Sequence, residues 1–228
     1  MHKVGDVAMI FTDRTEAGRQ LADALAADPV VRDAERIVVL AVPRGGLPVG
    51  AEVSRRLAAP LDVVVARRLR APHDPEIGFG GIGADGHVDV DQDTVARLGL
   101  TREEVEAEIE DRRGRVARRL ELYRRVVPPA DLNGAVAIVV DDGIASGVTA
   151  HLACGWARRG GAAQVVLAAP VAPDTAEETL AGTADRVLVL TAPAEFLAVS
   201  QAYQDFPQLD DDDVLEILEE LASSSARR

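Results

Sequence analysis

Cysteine, lysine, aromatic rings and long apolar runs are all scarce in this chain of 228 residues. Its one cysteine, Cys154, leaves no partner for an intrachain disulfide, which excludes a secreted fold built on bridges. It reads as a small buried apolar group rather than a reactive thiol. With Lys3 the only lysine, nearly all positive charge falls to arginine. No apolar stretch approaches the ~20 residues of a membrane span. Residues 1–13 lack the basic start, apolar middle and small-residue cleavage site of a signal peptide, so a soluble cytoplasmic protein is expected. Positive charge is also in deficit, 25 basic against 38 acidic residues, a net charge of -13. That balance argues against a general nucleic-acid or anionic-membrane binder, which needs surplus cations to displace counterions. A small anionic substrate remains compatible, because a pocket can be positive on an acidic body.

What is present is an ordinary globular composition, 47% hydrophobic, in a length that suits one domain with a substantial core. Short apolar runs alternate with helical patterns. Strands are expected at 7–11, 36–42, 61–66, 135–140, 164–169 and 186–190. Helices are expected from Asp13 to about Ala27, at 47–57, from Thr101 to about Arg125, to about Arg159, from an Asp174 cap to Ala181, and from Asp210–Asp213 onward. Thr101 and Glu104 have the spacing of a capping box. Residues 67–87 hold Pro72, Pro75 and five glycines, which reads as loop or short hairpin. Strands alternating with helices predict an α/β fold, a mainly parallel sheet flanked by helices. With no repeat and no dividing linker, residues 1–222 read as one domain. Within it, 67–130 is a flexible-loop and helical insertion that forms a hood with the C-terminal tail, and 223–228 is frayed.

The chemistry-bearing stretch is Val136–Thr149, VAIVVDDGIASGVT. An apolar strand delivers two adjacent acids, Asp141 and Asp142, to a sheet edge where α/β folds bind ligands. A loop of small and hydroxylated residues follows and runs into a helix. Gly143 and Gly147 permit a sharp bend, and the amides and hydroxyls of Ile144, Ala145, Ser146, Val148 and Thr149 form a nest for a phosphate monoester. Two carboxylates beside a phosphate make sense if the same ligand carries hydroxyls, as ribose 5-phosphate does, because carboxylates accept charge-assisted hydrogen bonds from hydroxyls.

This segment resembles, over fourteen consecutive positions, the phosphoribosyl-pyrophosphate (PRPP) motif of type I phosphoribosyltransferases. The resemblance implies that family's fold and its reaction: transfer of 5-phosphoribosyl from PRPP to a nucleobase or similar nucleophile, with release of pyrophosphate. It also implies Mg2+, bound mainly through PRPP with no dedicated metal residues, and a small-molecule acceptor. Family members commonly pair through the sheet periphery, which allows a homodimer. Pro43-Arg44-Gly45-Gly46 looks like the family's pyrophosphate loop, with Arg44 as a fixed charge and Gly45 and Gly46 offering amides. Arg67 and Arg68 sit where the family's mobile basic loop is expected, and Glu76 where it could meet the acceptor. Arg44, Arg67 and Arg68 would stabilise the leaving group, Asp141 and Asp142 would hold the ribose hydroxyls, and Gly143–Thr149 the 5-phosphate.

Ala145 stands where hypoxanthine-guanine members carry an acid, which weakens that assignment. Phe196, Tyr203 and Phe206 lie within eleven residues in a chain of only seven aromatics, and either stack on an acceptor base or anchor the tail. Two rival readings stay open: a PRPP-sensing regulator without catalysis, and an enzyme acting on another sugar phosphate. Other signals carry little. Gly78–Gly83 follows no buried strand and opens no helix as a dinucleotide fingerprint would. There is no Gly-Lys-Ser/Thr P-loop and no Gly-x-Ser-x-Gly elbow. His2, His73, His87 and His151 are scattered, and Asp210–Asp213 reads as a solvated helix start.

Overall fold

The computed structural model describes residues 11–180 and 182–225. The expected 7–11 strand lies almost wholly outside these. Its last residue, Phe11, makes an isolated parallel bridge to Tyr203.

Five strands form an all-parallel sheet in the order β2-β1-β6-β7-β8. They are β1 (Ile37–Ala41), β2 (Leu61–Val63), β6 (Val136–Val140), β7 (Gln164–Val171) and β8 (Arg186–Thr191). Both faces are covered, so β1 and β6 are apolar throughout and the central strands split their residues by parity. Val38, Leu40, Ala137, Val139, Val165 and Leu167 pack toward Ala153, Cys154 and Ala157 of α6 (Val148–Arg159). Val39, Ile138, Val140, Val166 and Ala168 pack the other way, against Leu21 and Leu25 of α1 (Arg14–Ala27) and Val49 and Val53 of α3 (Gly46–Leu57). Asp13 caps α1 by accepting from the Glu16 amide at 2.8 Å. The short helix α2 (Pro29–Arg32) joins this layer through Val31, and α7 (Ala176–Thr179) packs on the α6 face through Ala176. Asp174 does not cap α7: Thr175 occupies the cap position and makes no side-chain bond there.

The insertion is more ordered than its glycine content predicts. β3 (Arg67–Ala71), β4 (Asp74–Ile82) and β5 (Val88–Val90) form a three-stranded antiparallel sheet. The glycines mark close approach rather than a loop. A Cβ at Gly80 (φ 147°) would stand 2.1 Å from the Asp89 carbonyl oxygen, and one at Gly81 would stand 2.3 Å from Leu152. α4 (Gln92–Leu98) and the long α5 (Arg102–Tyr123) follow, the latter started by the Thr101–Glu104 capping box. α8 (Asp211–Ser225) closes the hood, placing Val214 and Leu218 in one apolar cluster with Leu69, Phe79, Val116 and Tyr123. Asp62, fully buried on β2, ties the far end of α5 to the sheet. It pairs with Arg124 and accepts from the Val63 and Ala130 amides at 2.6 and 2.9 Å.

Candidate functional site

β1 connects to β2 on one side and pairs with β6 on the other, so the sheet order reverses between β1 and β6. The carboxyl ends of such a pair open a crevice. Ala41 lies opposite Val140, and the Val42 amide donates to the Val140 carbonyl at 2.9 Å. The segment 43–46 and the pair Asp141–Asp142 therefore leave the sheet side by side. Their contact leaves no room for side chains at 45 and 46. A Cβ at Gly45 would stand 1.9 Å from Asp142 Oδ2, and one at Gly46 2.7 Å from the Val140 carbonyl oxygen. The Pro43–Arg44 peptide bond is cis.

Asp142 is held from below. Arg14 Nε donates to its Oδ2 at 2.8 Å, with only 9% and 13% of the two side chains exposed. Arg14 Nη1 also donates to the Pro207 carbonyl at 2.9 Å, and its guanidinium lies 3.6 Å over the Phe206 ring. The Tyr203 hydroxyl donates to the Asp142 carbonyl at 2.5 Å. Burial and the neighbouring Asp142 charge push the Asp141 carboxyl well above the ordinary carboxylate range. Burial raises Asp142 too, with Arg14 opposing it. Asp141 lines an open cleft, where its carboxyl oxygens are placed to accept hydrogen bonds from a ligand.

Beyond them the loop divides into two parts. Gly143 and Ile144 belong to the packing: a Cβ at Gly143 would stand 2.5 Å from Val199, and Ile144 is buried with its amide donating to the Val171 carbonyl at 2.9 Å. Ala145 and Ser146 are exposed and Gly147–Thr149 half-buried. Among the described residues the amides of Ala145, Ser146, Gly147 and Val148 find no acceptor. Gly147 adopts φ 74°, the left-handed conformation that turns the chain into α6. Free amides at the start of a twelve-residue helix suit an anion.

A cleft of about 630 Å³ separates this sheet edge from the hood. Val42, Pro43, Asp141 and Thr149 line one wall, Arg67 and Arg68 of β3 another, and arginines of α5 a third. The Arg68 Nε is buried and has no partner among the described residues.

The other sequence-derived candidates fall elsewhere. The mobile basic loop expected at Arg67 and Arg68 is a strand. Arg44 does not line the cleft: its guanidinium lies near Tyr123, whose hydroxyl burial and Asp211 push up, and near Asp210, whose carboxyl the Asp213 amide holds low, and it adds a small lowering to each. The Gly46 amide donates internally to the Val42 carbonyl at 3.0 Å, so it has no proton to offer a ligand. Tyr203 is buried at 2% exposure between Phe11 and Phe206, with ring centroids 5.6 and 4.9 Å away. Phe196 packs against the same cluster. These rings anchor the tail beneath Asp142, and neither Tyr203 face is free to stack on a base. Glu76 is exposed and outside the cleft lining.

Sequence reasoning passed over Arg14, whose partner is 128 residues away. It also missed Arg112, Arg115, Arg118 and Arg119, although their spacing of three, three and one marks a single helical face.

No family model matches the chain. Over 210 residues, 92% of its length, it is 44% identical to proteins provisionally named phosphoribosyl transferase from two strains of Mycobacterium tuberculosis. The chain spans only 46% of the length of those relatives. A crystal structure from Thermus thermophilus shares 39% identity and a TM-score of 0.78, covering 93% of this chain and 99% of the other.

Proposed function

The chain belongs to the type I phosphoribosyltransferase-like family, and from that premise we propose that it transfers the 5-phosphoribosyl group of PRPP to a small-molecule acceptor. The C1–oxygen bond to pyrophosphate breaks, and pyrophosphate leaves with the electron pair. The acceptor lone pair forms the new bond to C1, and the acceptor gives up a proton. The observation that carries this reading is a cleft bounded by Asp141, Thr149 and the Arg67–Arg68 strand, with Ser146, Gly147 and Val148 lining a second depression of about 340 Å³.

Each part supplies one need of the reaction. The unpaired amides at 145–148, with the Thr149 hydroxyl, receive the 5-phosphate. Asp141 accepts from the ribose hydroxyls. Asp142, fixed by Arg14 and Tyr203, acts as a positioning residue that sets the direction of Asp141. Arg67 and the partnerless Arg68 Nε face the charge that develops on pyrophosphate, and Gly45 offers the remaining loop amide. Positioning two reactants in this way accounts for ~7–11 kcal/mol of a barrier. Among the described residues no group of three His, Cys, Asp or Glu is arranged to hold a metal. Mg2+ carried by the phosphate oxygens of PRPP would supply charge neutralisation of the leaving group. No helix among the described residues is long and apolar enough to cross a membrane. The single buried cysteine and acidic surface suit the cytoplasm.

Calorimetry with Mg-PRPP and with ribose 5-phosphate, followed by pyrophosphate release across a panel of acceptors, tests the proposal. PRPP should bind more tightly, and Asp141→Asn should weaken it by ~10–100-fold, the loss of a hydrogen bond to a charged group. Equal affinity for the two sugars would remove the pyrophosphate-leaving reaction. Tight PRPP binding without turnover on any acceptor would favour a sensor instead.

A further inference from the structure

The cleft carries arginines beyond the two assigned to pyrophosphate. On a chain of net charge -13 its wall holds seven arginines against two aspartates, Asp141 and Asp211. Three of the seven are neutralised locally. Arg112 pairs with Glu108 at 2.7 Å, Arg115 with Asp111 at 2.8 Å and Arg119 with Asp211 at 3.1 Å. Arg67 and Arg68 are assigned to pyrophosphate in the reading above. That leaves Arg70 and Arg118, both exposed. Neither guanidinium has an acid or carbonyl partner among the described residues. Because almost every cation in this chain is arginine, their placement, not their identity, is the evidence.

The cleft also lacks what a neutral aromatic base requires. Among the described residues none of its lining is aromatic, and the tail rings that could have stacked are packed beneath Asp142. The apolar part of the wall is only Val42, Pro43, Ala66 and Leu122. Recognition by stacking is thereby replaced by recognition through charge, and a guanidinium grips an oxyanion through two parallel hydrogen bonds.

We infer that the acceptor is itself an oxyanion, a small nucleophile bearing a carboxylate or phosphate that Arg70 and Arg118 receive across the cleft from Asp141. This inference rests on the phosphoribosyl-transfer reading and names the acceptor class for the same site.

Matched pairs of probes test it with the full chain, PRPP and Mg2+: nicotinate against nicotinamide, orotate against uracil, and an aminoalkyl phosphate against its dephosphorylated amine. PRPP affinity is measured separately by calorimetry. The oxyanionic member of at least one pair should react with a kcat/KM at least tenfold higher, and which pair responds separates carboxylate from phosphate. Arg118→Gln and Arg70→Gln should each raise KM for that acceptor by ~10–100-fold. PRPP affinity should stay within twofold and Arg118→Lys should recover part of the loss. Equal rates for charged and neutral members would overturn the inference and leave the phosphoribosyl reading standing. Silence of every pair while PRPP binds would overturn the inference and count toward the sensor instead. Loss of PRPP affinity in the Gln variants would assign these arginines to pyrophosphate and likewise overturn it. Failure of the native chain to bind PRPP would defeat the underlying reading first.

Discussion

Replacing Arg14 by methionine keeps an unbranched apolar stem and removes the guanidinium with its charge. The variant leaves Asp142, whose side chain is 13% exposed, without the donor at 2.8 Å. Breaking a buried ion pair by removing one partner costs about 3–5 kcal/mol, because a charge stays behind without compensation. The contact of the guanidinium with Phe206, at 3.6 Å, contributes about 0.5–2 kcal/mol, part of which the methionine sulfur restores. The residual exposure of Asp142 favours the lower end, about 3 kcal/mol in all, which in a domain of this size lowers Tm by roughly 6–12 °C. Asp142→Asn alone should cost less, about 1.5–3 kcal/mol. The double variant Arg14→Met/Asp142→Asn should be no less stable than Arg14→Met, because the amide needs no countercharge. Urea unfolding of the four proteins closes the cycle. A double variant whose losses add to within about 0.3–0.5 kcal/mol would show that the two residues do not act as a unit.

Other perturbations probe separate parts of the molecule. Asp141→Asn should stabilise the free protein at pH 7 and not below pH 4. The folded carboxyl titrates above its ordinary value, so the native chain loses stability as pH rises through that folded value, and the amide does not. Urea midpoints that shift equally at both pH values would contradict this. Asp62→Leu should cost about 3–5 kcal/mol in chemical denaturation by stranding Arg124 beneath α5, and a loss under 1 kcal/mol would count against the buried pair. Burial pushes the Cys154 thiol up to about 12, so a thiol reagent at pH 8 should label it only at the rate of unfolding. Rapid labelling in native buffer would be inconsistent with its place in the core.

The parallel sheet was readable because burial on both faces makes β1, β6 and β7 continuous apolar runs, and helices between them leave few other arrangements. The capping box at Thr101 was readable because its two residues lie on one turn. Of the antiparallel hood sheet, only the β3–β4 hairpin was legible, as one of two readings of 67–87. Gly78, Gly80 and Gly81 interrupt the alternation of β4, and only the neighbouring Asp89 and Leu152 show why side chains are absent there. At the site, the Asp141–Thr149 pattern drew notice through local chemistry. Three dimensions were needed to separate its packed start, Gly143 and Ile144, from its open end. Arg44 and Tyr203 show the same limit from the other side, since composition gave their chemistry but not the direction in which each points. The arginine face of α5 was present in the spacing but hidden among the many acids of that helix.

Arg14 and Pro207, bonded through the guanidinium, stand 193 residues apart in sequence. Closing a loop of that span draws on chain entropy that nearer contacts do not, so such pairings form late. The brace under the aspartate pair is therefore complete only once residues from Arg14 to Pro207 have been placed. Chains that have not finished folding would present the glycine bend without its support.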